Sequence, residues 1–478
     1  MTLTEIGLPT IAPASDDPYL TGSYAPVLTE IDTELSVIGE LPADLTGTFV
    51  RTGSNPRFTP KGRYHWFDGD GMLHATAFDG GATPPRYRNR WVRTESFVAE
   101  DEPQRCLAGG ILEPPDFHRP SGPYKDTGNT DLVVHDGRLL ALWWLSGKAH
   151  QIDLPSLDTV GVHDFRGSLR SNIAAHAKSD TATGDLCFID YSPLPPYLRY
   201  GVAGDDGRVD HLVDIELDGP RLQHDIAITP NYSLLFDMSM MWDPDALARA
   251  KVRLRFFRDV PSRIGVIPRR GGNADVRWFE VEPFFCYHTI AAWEEGTEVV
   301  LVGCRIDEPF GAEGDGLPPA PRIANLRLEP YLWEWRLDLA TGVACERQLD
   351  DTMTEFPRIN DHALTAPDGA RFAYAPVVAP EIPTLQFEGM IKYDVRTGTH
   401  LDRFTYPAGW FGGETCFAPA DGATAEDDGY VLTYGAELAT GNSELWVFDA
   451  RSVGDGPMAR LPIPQRVPTG YHTRWVPQ

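Results

Sequence analysis

The sequence has no Cys-x-x-Cys pair. Its six cysteines (Cys106, Cys187, Cys286, Cys304, Cys345 and Cys416) are scattered over 478 residues, which argues against zinc ribbons and thioredoxin-type exchange. No run of about 18 apolar residues occurs, so no transmembrane helix is expected. The opening stretch MTLTEIGLPTIAPASDD has neither the basic nor the apolar region of a secretory signal. These absences predict a cytoplasmic protein with reduced thiols. Basic residues are few: 42 Lys+Arg stand against 69 Asp+Glu, a formal charge of −27. Such a surface repels phosphates, and no nucleic-acid partner is expected. Gly-x-Ser-x-Gly, His-Glu-x-x-His and P-loop patterns are missing, so hydrolase and nucleotide-binding chemistry have no support.

Helical periodicity is scarce too. One stretch, WDPDALARAKVRL (242–254), predicts a helix, with Asp243 placed to cap it.

What the chain does have is turn-rich and β-forming. Gly 45 and Pro 41 are spread along its length, and 42% of residues are apolar. That is a globular composition, not a disordered one. DLVVHDGRLLALWW (131–144) reads as strand, Asp-Gly turn, strand. HATAFDGGATPPRYRNRWVRT (74–94) has the same shape with a longer turn. Four segments share one grammar: 149–165, 331–349, 389–406 and 444–463. In each, an alternating strand ends in Asp (Asp153, Asp338, Asp394 and Asp449), and a short turn leads to a second strand. The last two intervals are 56 and 55 residues. Such periods predict four-stranded propeller blades, roughly seven or eight in this length. The repeat alone leaves a large β-sandwich open. No linker-like stretch divides the chain, so one domain over 1–478 is expected, with 1–18 a flexible or loosely attached N-terminus.

Of thirteen histidines, His118, His150, His163, His211 and His400 lie in polar, turn-like contexts. His176, His224, His288 and His472 each adjoin an apolar or aromatic strand segment. Their separations are 48, 64 and 184 residues, the last about three times 61. In a propeller of that period, equivalent positions meet on the central axis. Four neutral imidazoles there suit iron(II), copper or nickel. Spacing alone equally allows four satisfied core histidines. HWFDGDGM (65–72), with His65, Asp68 and Asp70, reads as a structural hairpin, because EF-hand spacing is absent. Glu294 and Glu295 read as a strand-end turn.

The motifs YLTGSYAPVLTE (19–30), GTFVRTGSNPRF (47–58), HWFDGDGMLHA (65–75), TGNTDLVVHDGRLLALW (127–143), AHAKSD (175–180), HDIAITPNY (224–232), VRWFEVEPFFCYHTIAAWEEG (276–296), EFPRIN (355–360) and GYHTRWVP (470–477) run along nearly the whole chain. In kind and order they resemble the carotenoid cleavage oxygenase family. That family includes apocarotenoid-cleaving enzymes, lignostilbene dioxygenases and the retinoid isomerohydrolase. The resemblance implies an all-β, seven-bladed propeller with loops and short helices capping one face. It implies an Fe(2+) cofactor on the axis, held by His176, His224, His288 and His472. It implies Glu355 and Glu414 as carboxylate partners of His288 and His472. A third glutamate is usual for His224, but Trp143 and Trp144 stand in its place. An indole N–H donates and cannot accept.

The activity implied is cleavage of a conjugated carbon–carbon double bond with O2 to two carbonyl products. The expected substrate is a small apolar apocarotenoid. The alternatives are a lignostilbene or alkenylphenol, and a non-catalytic propeller that binds an apolar ligand. Lignostilbene-type members grip a phenol oxygen with a lysine and a tyrosine. Here the lysine position is Trp143, and CLAGGIL (106–112) has no tyrosine, although Tyr124 and Lys125 are close in sequence. Trp143 and Trp144 are expected to line the substrate tunnel. Segments 106–117 and 254–260 are candidates for an apolar, membrane-facing patch at its mouth.

Overall fold

Local turn chemistry builds the hairpins from which the molecule is assembled. The turn at Asp136-Gly137 places both residues at positive φ (47° and 68°). This is the twist a two-residue hairpin needs, and glycine takes it without strain. It joins Asp131–His135 to Arg138–Leu142, with His135 opposite Arg138. The recurrent aspartates do related work. Asp338 Oδ1 accepts the amide of Ala340 at 2.8 Å, Asp394 that of Arg396 at 3.1 Å and Asp449 that of Arg451 at 2.8 Å. Each side chain thus closes the turn that follows its strand. Asp153 instead accepts the Ser156 hydroxyl at 2.8 Å. The four repeats are the last two strands that the local chain supplies to blades 2, 5, 6 and 7.

The computed structural model describes residues 4–7, 17–116, 118–119, 122–249, 253–310 and 326–478. Their strands form seven antiparallel sheets, the blades of a propeller, plus one small two-stranded ribbon. The innermost strands of blades 2 to 6 are Asp131–His135, Lys178–Ser179, Ala227–Ile228, Phe285–Glu295 and Phe372–Val378. In blade 7, Cys416–Pro419 pairs with Gly429–Glu437. Blade 1 is completed from the far end of the chain, where Thr473–Pro477 pairs with Thr46–Ser54. Ile38–Gly39 in turn completes blade 7 against Ala459–Ile463. Each terminal region therefore sits in the other's blade, which closes the ring. Thr4–Gly7 adds an outer strand to blade 1, and Tyr19 and Leu20 are buried.

The expected helix over 242–254 is corrected. Only Pro244–Leu247 is helical, with Asp243 capping it through Asp245 and Ala246 as foreseen. Trp242 and Leu254 pair with each other in the ribbon Met240–Trp242/Leu254–Phe256, an insertion in blade 4. Residues 250–252 lie outside the described part. The other α-helix among the described residues is Glu95–Ala99. Among the described residues, no helix is long and apolar enough to cross a membrane.

Candidate metal centre

The four singled-out histidines come from four different blades and meet. His176 precedes the innermost strand of blade 3 by two residues, and His224 that of blade 4 by three. His472 directly precedes Thr473–Pro477, and His288 lies within Phe285–Glu295. The pairing of this last strand slips between Cys286 and Thr289. An irregularity of this kind re-aims a side chain out of the regular alternation. His176 has positive φ, 65°, a costly conformation for a residue with a Cβ. The ring centroids of His176 lie 4.5, 5.0 and 4.5 Å from those of His224, His288 and His472. His288 is 5.2 Å from His224 and 4.7 Å from His472. One ring nitrogen from each of His176, His224 and His288 lies within 4.8 Å of the others. All four rings are buried.

Their partners differ. His288 Nδ1 meets Glu355 Oε2 at 2.5 Å, and His472 Nδ1 meets Glu414 Oε1 at 2.8 Å. Both predicted glutamates are buried beside the histidines assigned to them. Phe356, itself at φ 53°, wedges between the two rings. Its ring lies 4.9 Å from each. His224 Nδ1, by contrast, is buried with no protein partner. The Trp144 ring is 6.5 Å away, and its indole N–H is also unpaired.

Burial, reinforced by the neighbouring imidazoles, holds His176 and His224 well below the ordinary histidine range. Burial pulls His288 down as well, but the Glu355 carboxylate outweighs it and the net direction is up. Burial pushes Glu414 up, yet His472 and Arg358 outweigh it and hold the carboxyl low. The Nε2 atoms of His176 and His288 are buried without partners. Unpaired nitrogens cost free energy in an interior. Their convergence fits a metal ion, which neutral imidazoles ligate well.

Beside the histidines lies an apolar cavity of about 30 Å³, walled by Trp66, Phe67, Tyr287, Tyr471, Leu326 and Leu385. Leu326, Leu328 and Leu385 also line a surface groove of about 160 Å³, so the cavity and the groove share this wall. Neither of the two tryptophans lines this cavity. Trp144 packs behind Phe67, with centroids 5.5 Å apart, rather than on the cavity. Trp143 lines a cleft of about 700 Å³ with Tyr124, Tyr191 and Trp242. Lys125 is buried, with Nζ 2.5 Å from Asp70 and 2.8 Å from Glu100. Its charge is engaged. Tyr124 is one of several polar groups at that cleft, with Asp126, Lys148, Asp190 and Arg199.

The 65–72 motif ends the connection of a hairpin, in which Thr46–Ser54 pairs with Gly71–Asp79. Trp66–Asp68 is a 3₁₀ turn that sets Trp66 and Phe67 in the cavity wall. Glu294 accepts from Thr229 and Asn231 and so ties blade 5 to blade 4. In the two candidate surface patches, no described residue is an exposed large apolar side chain. Arg255 and Arg258 cover Phe257 and Phe256, and Phe117 lies outside the described residues.

Sequence reasoning missed Tyr287 and Tyr471. Both sit in a Tyr-His-Thr triplet, a repeat that marks the equivalent positions of blades 5 and 1. The threonines anchor the triplets. Thr289 donates its amide and hydroxyl to Asp225 Oδ2, both at 2.8 Å. Thr473 does the same to Glu414 Oε2, with the hydroxyl at 2.8 Å.

Fold and site together define a class: a seven-bladed propeller with four buried histidines from different blades gathered at one point. The comparisons give its family. The family model described as "Retinal pigment epithelial membrane protein" matches residues 24–477. A carotenoid cleavage oxygenase of Mycobacterium tuberculosis is 33% identical, over 98% of this chain and 99% of its own. A carotenoid 9,10(9',10')-cleavage dioxygenase of Crocus sativus is 32% identical, over 96% of this chain and 89% of its own. The crystal structure of a lignostilbene dioxygenase from Pseudomonas brassicacearum is similar with a TM-score of 0.86 at 28% identity. The match covers 98% of this chain and all of that one. The chain belongs to the carotenoid cleavage oxygenase family.

Proposed function

We propose that His176, His224, His288 and His472 hold one iron(II) and that the protein cleaves a double bond of an apocarotenoid-like polyene. One observation carries this reading: partnerless ring nitrogens converge beside an apolar, aromatic-walled cavity. Iron(II), when bound, supplies the activation of dioxygen. The chain's own residues do the rest. Glu355 and Glu414 fix the tautomers of His288 and His472, leaving the Nε2 atoms free to ligate. The aromatic walls flank the place of the double bond beside the histidines and exclude water.

Adding O2 across C=C to give two C=O balances without any proton. This accords with the cavity lining, where the one carboxylate, Glu355, is already engaged by His288. Mass spectrometry of products from a panel of apocarotenals and hydroxystilbenes under 18O2 tests the reading. Two labelled aldehydes from an apocarotenal are expected. Metal-loaded protein that leaves every polyene intact would overturn it. A phenolic stilbene is the second reading. It is favoured by the likeness to the lignostilbene dioxygenase and by the Tyr124 hydroxyl beside Trp143.

A further inference from the structure

We propose that Asp131 is a positioning residue of the metal centre, supplying to His176 the carboxylate support that His224 lacks. The inference rests on the four-histidine reading above and concerns a histidine for which no partner was expected.

Asp131 is the first residue of the innermost strand of blade 2, next around the ring from His176. It is buried. Its Oδ2 accepts the backbone N–H of His176 at 3.2 Å, and the same oxygen lies 3.8 Å from His176 Nδ1. Oδ1 accepts the amide of Leu132 at 2.7 Å, which leaves Oδ2 aimed across the blade boundary. Atoms of Asp131, His176 and His472 lie within 4.8 Å of one another. His176 Nε2 is the buried ring nitrogen without a partner. The ring therefore turns one nitrogen toward the other histidines and the other toward a carboxylate. This is how a ligating imidazole is normally held. A ring shift of roughly 0.6 Å brings Nδ1–H to the ~3.2 Å limit of a hydrogen bond.

Two further observations support the assignment. The left-handed backbone of His176 needs a restraint, and Asp131 provides it through the amide. Glu414 makes a related pair of contacts, with its two oxygens, at the seam between blades 7 and 1. It accepts the Thr473 amide of the next blade and faces His472 Nδ1. Asp131, one carbon shorter, presents a single oxygen to both the amide and the ring of its histidine.

The test is the equilibrium affinity of metal-free protein for Co(II), measured anaerobically by chelator competition, with the visible spectrum of the bound ion recorded. Circular dichroism verifies folding. Asp131→Asn should bind Co(II) about 10–100-fold more weakly than the parent, with an altered spectrum and an unchanged fold. Asp131→Glu, which keeps the anion, should recover at least half of that loss on a logarithmic scale. Parent-like affinity and spectrum in folded Asp131→Asn would overturn the proposal. So would a Glu variant as weak as Asn. If Asp131→Asn does not fold, the Glu variant decides: affinity within threefold of the parent supports the proposal, and a tenfold loss overturns it. A parent that binds no Co(II) would instead sink the four-histidine reading itself.

Discussion

The two sides of the histidine ring are built differently. On one side, His288 and His472 each lean on a buried glutamate, and Phe356 fills the gap between them. On the other, His224 Nδ1 faces no acceptor, and the space behind it is taken by Trp144 and Phe67. A buried imidazole can be oriented by hydrogen bonds or by packing alone, and this molecule uses both. Hydrogen bonding to an anion also raises ligand basicity. Packing only restricts the ring. The difference predicts a metal held mainly from the carboxylate side.

The strongest way to break this contrast is to remove ligands. His288→Ala and His472→Ala should lower iron content from one per chain to background and abolish cleavage, with circular dichroism unchanged. Metal analysis and an oxygen-uptake assay check this. Full activity in either variant would remove the histidines from the mechanism. His224→Ala should lose activity as completely but shed less affinity, because its nitrogen is the less supported donor.

Next in size are the carboxylates. Glu355→Gln and Glu414→Gln keep the volume and lose the anion, and each should cost about 10–100-fold in metal affinity or activity. Glu414→Gln should be the worse of the two. Its carboxylate also takes the Thr473 amide and hydroxyl, so the seam that closes the propeller loosens with it. Variants that load and turn over like the parent would show that packing suffices on both sides.

What was legible in the sequence follows the range of the interactions. Asp-Gly at 136–137 and the strand-ending aspartates act within a few residues, so hairpins and blade period were readable. Glu355 and Glu414 were readable through the motifs around them. The ribbon was not. Trp242 and Leu254 pair across an insertion, and Asp243 N bonds to Arg253 O at 2.7 Å. That pairing outweighs the helical pattern of the intervening residues. The cavity wall was hidden for the same reason. Trp66, Leu326 and Leu385 become neighbours only when the ring closes. Asp131 read as one more residue of a hairpin, since nothing local shows that His176 of the next blade lies against it.

A smaller effect is expected in substrate choice. Trp143 stands where a phenol-gripping lysine is expected in lignostilbene-type relatives, and Lys125 is bound to Asp70 and Glu100. An apocarotenal should therefore be cleaved with about tenfold higher kcat/KM than a 4-hydroxystilbene, because an ungripped hydroxyl gains nothing in an apolar site. Parallel kinetics decide it. A higher value for the stilbene would promote Tyr124 to the gripping role, and Tyr124→Phe should then remove the advantage.

The smallest change sharpens the contrast most directly. Trp144→Glu restores a carboxylate on the unsupported side. The backbone at this position is fixed: Trp144 N donates to Thr130 Oγ1 at 3.1 Å, and its carbonyl accepts Tyr191 Oη at 2.6 Å. A glutamate would thus start from the same point and replace an indole whose N–H is unpaired. Its anion would face His224 Nδ1, the atom that now has no acceptor. Removing the indole leaves a void behind Phe67, and large-to-small core changes of this kind cost about 3–5 kcal/mol. Thermal stability of the metal-free protein should therefore fall. Metal affinity should rise by a factor of three to ten, less than a glutamate deletion takes away, because the packing already restricts the ring. Chelator competition alongside thermal melts separates the two effects. Unchanged affinity with lowered stability would show that His224 is oriented by packing alone, and weakened affinity would show that the indole itself holds the ring in place.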